Sequence, residues 1–112
     1  MNLKNRVQLI GNLGKDPIVK VLETGMKVAK FSIATTDYYL EKGEKKEKAS
    51  WHNIVAWGKT ADIVEEKCSK GIEVVVMGKL TNHNYEDKSG VKKYVTEVVI
   101  SEIICRPQKV AS

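Results

Sequence analysis

The stretch Ser50–Lys59, SWHNIVAWGK, carries both tryptophans of a 112-residue chain, six residues apart. Its centre, Ile54-Val55-Ala56-Trp57, is β-branched and aromatic, which predicts a strand. Strand side chains alternate between faces, so Trp51, Asn53, Val55 and Trp57 share one face while Ile54 and Ala56 take the other. At about 3.3 Å per residue the two indoles stand roughly 20 Å apart and cannot stack on each other. They either fill two parts of a core or offer two flat surfaces to a ligand.

Upstream, Leu3, Val7, Leu9, Gly11 and Leu13 fall on one parity of an extended run that Gly14-Lys15-Asp16-Pro17 closes, and Ile18 to Leu22 is a short continuation. Met26 to Thr36 is a second strand with Ala29, Phe31 and Ile33 on one face. Asp37 to Lys48, whose centre EKGEKKEK has no apolar residue, reads as a solvated, mobile loop. The tryptophan stretch is the third strand. Thr60 to Lys70 places Ala61, Val64 and Cys68 on one side of a helix, with Gly71 as its stop. Ile72 to Leu80 alternates strictly as a fourth strand, and Asp87-Lys88-Ser89-Gly90 marks the turn of a long hairpin. Lys93 to Cys105 is a fifth strand, apolar on both parities, which suggests that one side meets another subunit.

The order β-β-β-α-β-β, without repeats or linkers, predicts a single all-β domain over residues 1–112. It matches the OB-fold, a five-stranded Greek-key barrel, here with one helix between strands 3 and 4, that binds oligonucleotides across strands two and three. An SH3-like barrel or a small α+β sheet fits less comfortably.

Nineteen Lys and Arg against fourteen Asp and Glu give a net charge of +5, a balance that favours a polyanionic partner. Cys68 and Cys105 belong to no CxxC and have no nearby His pair, so free thiols in a reducing compartment are expected rather than a disulfide or zinc site. The N-terminus lacks an apolar signal core and no run approaches membrane-spanning length, so a cytoplasmic location and no membrane partner are expected. There is no P-loop, no HExxH and no nucleophile-base pair, and Asp37, Asp62 and Asp87 are scattered among lysines. Neither catalysis, a metal nor a cofactor is expected.

Five stretches, VQLIGNLGKDP (7–17), VAKFSIATT (28–36), WHNIVAWGK (51–59), KGIEVVVMGKL (70–80) and YVTEVVI (94–100), are collinear with, and similar to, the bacterial single-stranded DNA-binding protein family. The resemblance implies an OB-fold subunit that assembles as a homotetramer, with a dimer as the fallback. It would wrap single-stranded DNA in replication, recombination and repair in the cytoplasm, associated with the nucleoid. Carried over position by position, the family's base-stacking aromatics fall on Tyr39, Trp51, Trp57 and Tyr85. The commonest family pattern has Trp at the first and last of these and Phe at the third. Where the family often has basic residues before the last aromatic, this chain reads Thr81-Asn82-His83-Asn84, so the hairpin should hold phosphate less strongly. The chain ends in CRPQKVAS rather than in the family's Gly/Pro/Gln-rich tail with its acidic tip, as a shortened sequence or a naturally short member would. Recruitment of partner proteins through such a tail is therefore not carried over.

With the resemblance added, the ligand-facing reading of the tryptophans leads, because base stacking is worth about 1–3 kcal/mol per base and needs no hydrogen-bond code. Tyr38 and Tyr39 lie side by side, one packing and one facing the ligand, and parity leaves the choice open. Tyr94 is expected to be structural. Lys4, Arg6, Lys15, Lys42, Lys59 and Lys70 are the phosphate candidates, since sequence-independent affinity comes mainly from phosphate neutralisation. His52 is expected near subunit contacts. The rival readings are an RNA-binding OB module of cold-shock type, a protein-protein adaptor with weakened DNA binding, and a small nuclease.

Overall fold

Alternating apolar residues make each strand one-sided, and the computed structural model, which describes residues 3–106, shows what those sides meet. The elements in chain order are β1 (Val7–Leu13), β2 (Ile18–Val21), β3 (Lys27–Glu41), β4 (Glu44–Trp57), α1 (Lys59–Lys67), β5 (Glu73–Glu86) and β6 (Lys92–Arg106). The sheet order is β1-β5-β6-β4-β3-β2, and a further pairing of β1 with β3, Asn12 opposite Ala34 and Leu13 opposite Ile33, closes it on itself. Neighbours pair antiparallel except β4 and β6, which run parallel through Ile54–Val98, Val55–Val99 and Ala56–Ile100. This is a closed five-stranded OB-fold barrel, with β2 flanking it on the edge of β3.

The inward sides are Leu13, Ala29, Phe31, Ile33, Ile54, Ala56, Val74, Val76, Val98 and Ile100. Ala61, Val64 and Cys68 of the helical segment join the same cluster, so α1 packs its apolar stripe onto the barrel. Each Val, Leu, Ile or Phe among them contributes roughly 1.5–3 kcal/mol by leaving water. Lys27 on β3 ties the helix from outside, bonding Asp62 at 2.7 Å and Glu65 at 2.8 Å. These two carboxylates, Asp62 foremost, hold the ammonium well above the ordinary lysine range.

Several local expectations change. The stretch from Asp37 to Lys48 is no loop but a hairpin arm, in which β3 and β4 stay paired to Glu41 opposite Glu44. Across the ladder Asp37 faces Lys48, Tyr38 faces Glu47 and Tyr39 faces Lys46, and the Lys46 ammonium lies 3.6 Å from the Glu41 carboxylate. The turn is Lys42-Gly43, both at positive φ (51° and 79°), the geometry whose twist matches that of paired strands. The charged run Glu41 to Lys48, without an apolar residue, concealed a strand pair that needs no core. The first strand begins at Val7 rather than Leu3. Ahead of it the Asn5 side-chain amide donates to the Leu80 carbonyl and its oxygen accepts from the Leu80 N–H, both at 2.9 Å. The helix stops before Gly71: Cys68 is already extended (φ −106°, ψ 135°), its N–H donating to the Val64 carbonyl. The Asp87 to Gly90 turn is as expected, with the Asp87 carboxylate accepting from the N–H groups of Ser89 and Val91. Residues 107–112, which include most of the terminal CRPQKVAS stretch, lie outside the described residues.

Candidate nucleic-acid interface

The β3–β4 register decides which way the aromatics point. Ile54 and Ala56 are fully buried inside the barrel, whereas Trp51 is 62% and Trp57 42% exposed on its outer surface. The core reading of the tryptophans therefore fails. Val55 lies between them on the same outward face, buried between Lys30 of β3 and Val99 of β6, and forms an apolar floor. Trp51 is seated on the β1–β2 turn. A methyl group added to Gly14 would stand 2.6 Å from Trp51 Cζ3 and 2.7 Å from Cη2. Only a residue without a Cβ lets the ring lie there.

Trp57 borders an open groove lined by Ile18, Lys20, Leu22, Val28 and Lys30. An exposed indole with apolar neighbours and two exposed ammonium groups can take a base on its face and a phosphate at its edge. Neither Lys20 nor Lys30 has an ion pair among the described residues. Sequence reasoning passed over both, although each alternates with apolar residues along its strand, the signal that could have found them. Lys27, close by, is bound to Asp62 and Glu65 and is not available to a phosphate.

Directly paired residues of an antiparallel ladder share a face, and the ladder from Trp51–Ala34 to Tyr38–Glu47 is unbroken. Tyr38 therefore continues the outward face of the tryptophans, and Tyr39 stands on the other side of the arm. Tyr38 is 61% exposed with Lys45 Nζ 5.1 Å from its ring centre; Tyr39 is 44% exposed. In the β5–β6 arm Tyr85 is 50% exposed and pairs with Lys93. Tyr94, expected to pack, is 75% exposed, because the arm has left the barrel and has no core to offer.

The cationic candidates are dispersed rather than clustered. Lys4, Arg6, Lys15, Lys42, Lys59 and Lys70 are all exposed. Arg6 lies with Asn5 and Lys79 along a groove floored by Gly78 and Val99. Lys42 is the tip of the β3–β4 arm, and Lys59 opens α1 beside Trp57. Lys15 sits beside Gly14 in the turn beneath Trp51. Lys70 joins that turn to the helix exit, its N–H donating to the Asp16 carboxylate at 2.8 Å. His52 faces inward and shares a 2.9 Å hydrogen bond with Thr35 Oγ1. No cluster of three or more potential metal ligands occurs among the described residues, and no helix there is long and apolar enough to cross a membrane.

Comparison with known proteins gives a consistent result. Residues 4–105 match the model of the Single-strand binding protein family. The chain is 43% identical over 101 residues to Single-stranded DNA-binding protein 1 of Xylella fastidiosa, covering 88% of this chain and 74% of that protein. It is also 43% identical over 102 residues to the Single-stranded DNA-binding protein of Bacteroides thetaiotaomicron, covering 88% of this chain and 63% of that one. Among solved structures it superimposes on the Plasmodium falciparum SSB complex with ssDNA with a TM-score of 0.86. The identity there is 33%, over 96% of this chain and all of the other.

Proposed function

The chain belongs to the single-strand binding protein family, and from that premise we propose that it binds single-stranded DNA without sequence preference, protecting exposed strands in replication, recombination and repair. The observation that carries this reading is the pair of exposed indoles on the outward face of β4, separated by the buried Val55. An extended strand laid over that face puts different bases on Trp51 and Trp57, and the arms add Tyr38 or Tyr39 on one side and Tyr85 on the other. Phosphates are met by Lys20 and Lys30 and by the dispersed set Lys4, Arg6, Lys15, Lys42, Lys59 and Lys70. It is a binding protein and not an enzyme, acting in the cytoplasm on nucleoid DNA.

Assembly follows from a second surface. Ile10, Val75 and Ile104 are paired across β1, β5 and β6, and Ile10 and Ile104 are 52% and 59% exposed. This apolar row suits a symmetric contact between subunits, and we take the working form to be a homotetramer of dimers, with the dimer as the fallback.

The test is a titration of intrinsic tryptophan fluorescence with polythymidine at low and high salt. Quenching that saturates and weakens with salt is the expected result; untouched emission overturns the stacking reading. Duplex DNA should compete poorly, since its paired bases cannot reach the indoles. Equal competition by RNA of matched composition would favour the RNA-binding module instead, and cleavage of labelled DNA in Mg²⁺ would reveal a nuclease.

A further inference from the structure

Cys68 and Cys105 take no part in the interface above. Cys68 ends α1 and is buried in the core cluster, while Cys105 lies near the end of β6, opposite Val74 on the inward side. Thirty-seven positions separate them, yet the barrel brings the two sulfurs to 2.9 Å. Both are free thiols. A covalent bond between them needs an approach of only about 1 Å more. An open groove between the β1–β2 turn and the helix, lined by Asp16, Pro17, Val19, Glu65 and Ser69, leads to Cys68, and Cys105 is half-exposed.

We propose that Cys68 and Cys105 form a reversible intramolecular disulfide, an oxidation-driven clasp that locks the end of α1 onto the last strand of the barrel. The oxidant is a low-molecular-weight disulfide of the glutathione class. Cys105, the more accessible thiol, loses its proton to water, and its thiolate attacks one sulfur of the small disulfide, whose S–S bond breaks and releases one small thiolate. Cys68 then gives up its proton and attacks the Cys105 sulfur, displacing the second small thiolate. Two electrons pass from the protein thiols to the reagent, which leaves as two thiols. Burial first, and the adjoining Cys105 second, push the Cys68 thiol up to about 12, so ring closure is slow at neutral pH and accelerates in alkali. The bridge encloses the chain from the helix exit through the whole β5–β6 arm, so it restricts the unfolded chain while leaving the outward tryptophan face unchanged.

The experiment incubates the whole protein with oxidised glutathione at mildly alkaline pH, blocks free thiols with N-ethylmaleimide, and reads intact mass, non-reducing electrophoresis and tryptic peptides. The expected product is a single chain lighter by two hydrogens, unlabelled, with Cys68 linked to Cys105. It melts higher by on the order of 10 °C, reverts with dithiothreitol, and has unchanged affinity for polythymidine. Cys105→Ser, at the more exposed position, should fold and show neither the mass loss nor the melting shift; Cys68→Ser is the paired control. A persistent mixed disulfide on Cys105, a bridge between two chains, or two labelled thiols after full exposure to the oxidant would each overturn the clasp.

Discussion

The ring of Trp51 rests on the backbone of Gly14, so closely that a single methyl group there would meet Cζ3 and Cη2 at 2.6 and 2.7 Å. The glycine thus sets the direction of an exposed indole that no core holds. Gly14 is not at positive φ, so Ala is tolerated by its backbone and must displace the ring. Gly14→Ala should weaken polythymidine binding by up to about 1–3 kcal/mol, the worth of one stacked base, and leave thermal unfolding nearly unchanged. Fluorescence titration alongside calorimetry checks this, and wild-type affinity would show that the seat is dispensable.

Neighbouring positions of β4 should separate binding from folding. Trp51→Ala or Trp57→Ala should lose about 1–3 kcal/mol of affinity while the fold survives, because both side chains are exposed. Ile54→Ala, at a fully buried site, should instead lose about 2–5 kcal/mol of stability. Urea denaturation and DNA titration of the three variants give the comparison, and a tryptophan variant that unfolds would return its indole to the core.

The two tyrosines of the β3–β4 arm lie on opposite faces, and the register aligns Tyr38 with the tryptophans. Tyr38→Ala should therefore reduce affinity more than Tyr39→Ala. A reversed order would mean that the arm twists enough to present Tyr39, the position the family resemblance points to.

Removing single charges distinguishes phosphate contacts from structural ions. For single strands the log-log salt slope is roughly −0.7 per phosphate contacted, so Lys20→Ala and Lys30→Ala should each make it shallower by about that amount. Lys27→Ala should leave the slope alone and lower the melting temperature, since its ammonium binds Asp62 and Glu65. Its folded-state pKa is raised, so this stabilisation is fully present below the ordinary lysine pKa and is lost only as pH rises through the higher folded value. The melting difference from wild type should accordingly be constant between neutral and mildly alkaline pH.

Light scattering at micromolar concentration should give a mass of four chains, or two. A mass near 12.5 kDa would exclude both assemblies. Ile10→Lys or Ile104→Lys, placing a charge in the exposed apolar row, should dissociate the assembly without unfolding the barrel.

Period-two alternation in the sequence was enough to place the barrel parts of the strands, to part the two faces of β4 and to reach the OB-fold, because a half-buried strand must alternate to separate core from water. Five collinear stretches were enough for the family. What alternation could not reach was any feature made by distant parts of the chain. The arm from Asp37 to Lys48 is held by cross-strand pairing and not by burial, so its tip and returning strand, Glu41 to Lys48, left no apolar trace. Gly14 matters only because β4 carries Trp51 across the β1–β2 turn, and Tyr38 parts from Tyr39 only once the register is fixed. Cys68 and Cys105, read as unrelated thiols, meet because the helix exit is packed against the barrel beside the end of its last strand. Local sequence determines which residues seek the core; which of the others become neighbours is settled by closure of the barrel, a long-range event that no short window of sequence records.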